Sequence, residues 1–97
     1  VENVAVVETF DIMAFRSRQH ALQYSQFLKN HGFPNQLMST PKEVMLGCGL
    51  SLRFSPYLTP GIIDLYKRYP TPIIGFYHVR REGNKSKITR IPHEDIW

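Results

Sequence analysis

Gly47-Cys48-Gly49-Leu50-Ser51-Leu52-Arg53-Phe54 alternates in character, so as a strand it puts Cys48, Leu50, Leu52 and Phe54 on one face and Ser51 and Arg53 on the other. Its position decides the fold. Another extended stretch, Asn35–Ser39, lies shortly upstream, and the two consecutive strands are bracketed by helical patterns.

Between those strands, Thr40-Pro41-Lys42-Glu43 carries a capping residue, proline at the first helical position and glutamate three residues after the cap. This predicts a short helical turn through about Leu46, broken by Gly47. Upstream, Ser17 is a good cap for a helix over Arg18–His31, with Ala21, Tyr24 and Leu28 plus Leu22 and Phe27 as its apolar face and Gly32 as its stop. Before that, Phe10, Ile12 and Ala14 alternate with Asp11, Met13 and Phe15, which predicts a first strand over 10–15.

Downstream, Thr59-Pro60 opens a second helix to about Arg68, burying Ile62, Ile63, Leu65 and Tyr66 and ending before Pro70. Ile73–Val79 is the fourth strand. A turn at Gly83-Asn84 leads to a peripheral strand, Lys85–Ile91, whose bases protect an exposed edge. In the tail Asp95-Ile96-Trp97, the tryptophan is expected to pack back on the body. The order is β-α-β-β-α-β plus one strand, an α+β ferredoxin-like sandwich with two helices on one face of the sheet and an extra C-terminal edge strand. We expect a single domain over 1–97, with its core at about 10–79 and a basic extension at 80–97.

An apolar fraction of 42% and an aromatic fraction of 12% suit a folded globule with one small core. No apolar run reaches the roughly 20 residues that span a bilayer, and the start lacks a basic region followed by an apolar one. The single cysteine excludes an intramolecular disulfide and a Cys-rich zinc site. His31, His78 and His93 show no metal-ligand spacing, so neither a metal nor a cofactor is expected. The expected location is the cytoplasm, with no membrane partner. Residues 1–48 balance four Lys/Arg against four Asp/Glu, whereas residues 49–97 carry eight against four and hold the whole excess of +4. Arg80, Arg81, Lys85, Lys87 and Arg90 supply five of those bases and form the candidate partner surface.

The two glycines around Cys48 remove the side chains that would shield its sulfur. Right-handed crossovers put the start of strand three beside the N-terminus of the first helix, around Phe15–His20. Unpaired N–H groups there favour an anion, Arg16 and Arg18 add positive charge, Ser17 caps, and the amides of Gly47 and Gly49 can frame a small anion pocket. A thiolate at Cys48 is stabilised in such a place and its pKa lowered, which a sulfur nucleophile requires. His20, on the first helical turn, is the candidate proton relay. The bland reading makes Ser17 only a cap, His20 a solvated histidine and Cys48 an apolar filler.

Three stretches resemble the small bacterial domains described as selenium/sulfur carrier-like proteins. They are Phe15–Leu28 with Ser17, His20 and Ala21; Ser39-Thr40-Pro41-Lys42-Glu43; and Cys48-Gly49-Leu50-Ser51-Leu52-Arg53-Phe54. The likeness covers roughly 10–79. It implies a cytoplasmic domain whose cysteine carries sulfur or selenium between a donor enzyme and an acceptor protein. Two departures stand out. The helix begins Ser-Arg-Gln-His where the family more often has paired histidines or a similar polar pair, and the basic region beyond Arg80 exceeds the usual short domain. A carrier needs one thiol, access and a docking surface; a dithiol reductase would need a second cysteine. The rival readings are a non-enzymatic interaction domain, with strand edges and the Val4–Val7 run open to dimerisation, and an RNA-binding domain displaying Phe10 and Phe76. The first of these is the stronger rival; nucleic acid is the weakest expectation.

Overall fold

The alternation and helical spacing above resolve into a computed structural model that describes residues 6–44, 47 and 49–94. Its elements are β1 (Val7–Phe15), α1 (Arg18–Asn30), β2 (Gln36–Ser39), β3 (Leu50–Phe54), a 3-10 turn (Pro56–Leu58), α2 (Thr59–Arg68), β4 (Ile73–Glu82) and β5 (Lys85–Ile91). The five strands form one sheet in the order β2-β3-β1-β4-β5, every neighbouring pair antiparallel. This is the expected ferredoxin-like α+β arrangement with an added edge strand.

Period-two alternation in β1 separates two apolar layers. Met13 and Phe15 face the helices and join Ala21, Tyr24, Leu28, Leu52, Phe54, Ile62, Leu65 and Phe76 in the main core. Phe10 and Ile12 turn to the other face, where they are buried with Val79 beneath Met38, Tyr77 and Ile88. α1 buries Ala21, Tyr24, Ser25 and Leu28, while Leu22 remains 43% exposed. The apolar stripe is therefore narrower than expected, because Leu22 lies one step round the helix from Ala21. Asn35 ties α1 to the entrance of β2, its side-chain amide donating to the Ser25 and Phe33 carbonyls while its oxygen accepts from Ser25 Oγ.

Three local expectations change. Thr40-Pro41-Lys42-Glu43 forms a turn, with Val44 N donating to Pro41 O, and not a helical turn over the described residues. The Thr40 hydroxyl is engaged with Ser51 Oγ at 2.7 Å, so it is not available as a cap. Ser51, placed on the face opposite Leu50 and Leu52, is fully buried and takes part in that contact. Thr59 is the first residue of α2 and its hydroxyl points to Asp11, while Ser55 caps the preceding 3-10 turn through Tyr57 N. The strand start expected at Cys48, the part of the turn at Met45-Leu46 and the packing of Trp97 lie outside the described residues. Among the described residues, no helix is long and apolar enough to cross a membrane.

Candidate functional site

β1 ends at Phe15, the chain bends at Arg16, and Ser17 is extended (φ −126°, ψ 131°) before α1 begins. Ser17 accepts a long hydrogen bond from His20 N at 3.5 Å through Oγ and one from Ala21 N at 3.1 Å through its carbonyl. The first turn of α1 contains no acidic residue, and Arg16 and Arg18 are exposed on either side of the cap. Free N–H groups and two guanidiniums make this helix end electropositive.

The glycine before the cysteine comes to the same junction. Gly47 has φ 93°, and a Cβ on it would stand 2.3 Å from the Phe15 carbonyl oxygen and 3.0 Å from Ile74 Cγ1. No side chain fits there, so the loop approaches the end of β1 backbone to backbone. Gly49 also has positive φ, 79°, but open space around its Cα, and its carbonyl accepts from Thr40 N at 2.8 Å. Gly47 thus sits against Phe15 and Gly49 is bonded at the end of β2. Cys48 itself lies outside the described residues.

His20 lines a cleft of about 380 Å³ with Gln23, Tyr24, Phe27, Tyr69 and Pro70, and its Nδ1 is buried with no hydrogen-bond partner among the described residues. The Tyr24 hydroxyl donates to the Tyr69 carbonyl at 2.9 Å, and burial pushes its pKa up to about 12. The chain leaving this cleft enters β4 at Ile73, which pairs with Phe15. A larger hollow of about 440 Å³ lies among Phe10, Pro34, Arg53, Phe54 and Pro56. It sits at the far end of β3 from Gly49, so its size does not connect it with the cysteine loop.

Sequence reasoning missed a second polar centre. Asp11 is 4% exposed on β1, directly opposite His78 on β4. Asp11 Oδ2 accepts from Thr59 Oγ1 at 2.5 Å, and Oδ1 is 2.6 Å from His78 Nδ1. A carboxylate only accepts, so Nδ1 carries the hydrogen of that contact. The sequence signal was available: Asp11 shares a strand face with Met13 and Phe15, and a carboxylate on a core face requires partners.

The bases of the β4–β5 hairpin are unequally engaged. Arg80 pairs with Glu82 at 3.0 Å and Arg90 with Glu94, while Lys85 and Lys87 make no ion pair among the described residues. Arg53 pairs with Glu8 at 2.5 Å and lies over the Phe10 ring, 3.9 Å from its centroid, with Arg81 on the same ring at 5.2 Å. Phe10 is 2% exposed and Phe76 fully buried, so neither offers the stacking platform that an RNA-binding reading assigned to them. Among the described residues, no three His, Cys, Asp or Glu side chains gather as a metal site.

Residues 11–78 match the family model described as "Putative Se/S carrier protein-like". The chain belongs to this family. Membership supports a general role in carrying sulfur or selenium. The matched range opens at Asp11 and closes at His78, the two residues that meet across β1 and β4, and it encloses Gly47-Cys48-Gly49. It leaves β5 and the bases from Arg80 onward outside. No curated protein and no solved structure matches the chain.

Proposed function

We propose that this Se/S carrier-like domain carries sulfur or selenium on the Cys48 thiolate. The observation that carries the reading is the seat of Gly47 against the Phe15 carbonyl, because Cys48 follows Gly47 by one peptide bond and the electropositive start of α1 follows Phe15. Arg16, Ser17, Arg18 and the backbone of Gly47 and Gly49 stabilise the thiolate in this reading, and His20 relays a proton at the first turn of the helix.

The transfer needs no redox partner. The Cys48 thiolate attacks the outer sulfur of a donor persulfide, R–S–SH, forming Cys48–S–SH and releasing R–S⁻. An acceptor thiolate then takes the outer sulfur and returns Cys48–S⁻. With selenium, the donor is R–S–SeH, and attack at its outer selenium gives Cys48–S–SeH and releases R–S⁻. Arg80, Arg81, Lys85, Lys87 and Arg90 supply the docking surface for donor or acceptor. Intact mass after incubation with a low-molecular-weight persulfide tests the reading. The folded protein gains one sulfur mass faster than the urea-unfolded chain, and a Cys48→Ser form gains none. Equal rates for folded and unfolded protein would remove the basis for a site built by the fold.

A further inference from the structure

β5 is an outer strand of the sheet, seven residues long, and alternate residues of an edge strand turn their N–H and C=O groups away from the sheet. We infer that this edge accepts an extended acidic segment of a partner protein as a sixth strand. The inference deepens the docking role proposed above but does not depend on sulfur reaching Cys48.

Alternation specifies the partner. Register with β4 places Lys85, Lys87 and Thr89 on the helix-bearing side, opposite Glu82, Arg80 and His78. Ser86, Ile88 and Arg90 take the other side, where Ile88 packs on Phe10, Ile12 and Val79. A guest strand therefore meets two lysines on one face and, on the other, the half-buried Ile88 between the exposed Ser86 and Arg90. Carboxylates at every second position, with β-branched apolar residues between them, complement both.

Charge decides among occupants. β5 contains three bases and no acid; Arg90 is paired with Glu94, but pairing the strand with a second copy would still bring four lysines together along one ladder. The same lysines that discourage self-association attract an acidic strand. An RNA strand would meet charge without stacking, since Phe10 and Phe76 are buried. The opposite edge, β2, has four residues and no charged side chain, so it provides no comparable selection.

The probe is a capped, fluorescent peptide of alternating Glu and Val, compared with a Lys/Val version and with a Glu/Val version interrupted by proline, which cannot complete a ladder. The Glu/Val peptide binds saturably, slows amide exchange along Lys85–Ile91, and weakens as salt rises. Lys85→Glu with Lys87→Glu weakens binding at least about tenfold, and the milder Lys85→Gln with Lys87→Gln weakens it by a smaller factor. Both lysines are exposed and make no ion pair among the described residues, so these variants keep the fold. The Cys48→Ser protein binds as tightly as the parent, which separates this result from any failure of sulfur carriage. Absence of binding, equal affinity for the proline-interrupted peptide, or stronger binding of a single-stranded oligonucleotide through the same lysines would each overturn the inference.

Discussion

Asp11 and His78 stand opposite each other on β1 and β4, with His78 Nδ1 2.6 Å from a carboxylate oxygen whose twin accepts from Thr59. One buried side chain thereby joins two strands and the first residue of α2. The His78 ring is 39% exposed while the Asp11 side chain is 5% exposed, so water can satisfy the imidazole more readily than the carboxylate.

Asp11→Ala strands the Thr59 hydroxyl and removes the anchor of His78, at an expected cost of about 2–4 kcal/mol in urea unfolding. Thr59→Val costs about 1 kcal/mol, and the double variant loses less than the sum because both changes break one contact. Additive losses would show that Asp11 and Thr59 do not act as a unit.

The two glycines beside Cys48 separate on substitution. Gly49→Ala incurs only the penalty of a left-handed backbone in open space, about 1 kcal/mol. Gly47→Ala adds the collision with the Phe15 carbonyl and should cost at least about twice as much. Unfolding measurements on the two proteins compare them directly, and equal losses would contradict the close approach of Gly47 to β1.

The order of strands and helices was legible because period-two and period-3.6 patterns survive even where local details shift. Local chemistry was harder to read wherever a side chain had a tertiary choice. Thr40 and Thr59 both carry capping sequence, yet Ser51 claims one hydroxyl and Asp11 the other. Those partners lie 11 and 48 residues away, beyond the reach of a pattern built on the neighbouring turn. The alternation in β1 put Asp11 on a core face, but only strand register supplies His78. Phe10 read as displayed because its face carries no helix; Arg53 and Arg81 cover it instead.

Acid titration isolates the link between β5 and the residues after it. The Arg90 guanidinium, with backbone donors at Glu94 and His93, holds the Glu94 carboxyl down to about 2 from its ordinary 4.5. A depressed carboxyl contributes stability that is full above about pH 4.5 and is lost as pH falls toward about 2. The pair is exposed, so the change in global stability is small. The sharper readout is the carboxyl carbon resonance of Glu94. Its midpoint returns toward 4.5 in Arg90→Gln, and an unchanged midpoint would remove Arg90 as the cause.

Tyr24 gives the complementary behaviour at high pH. Its hydroxyl donates to the Tyr69 carbonyl, and burial raises its pKa from 10 to about 12 by disfavouring the phenolate. The neutral form is therefore favoured in the folded protein. Its contribution is complete below about pH 10 and disappears as pH rises through about 12. Tyr24→Phe loses the hydrogen bond, at about 0.5–1.5 kcal/mol near neutrality, and also loses this alkaline dependence. Urea midpoints at about pH 8 and about pH 11 distinguish the two effects, because the gap between parent and variant narrows at the higher pH. A gap that stays constant would mean that Tyr24 ionises no less readily in the folded chain than in the unfolded one, and that the cleft beside His20 is wetter than its aromatic walls imply.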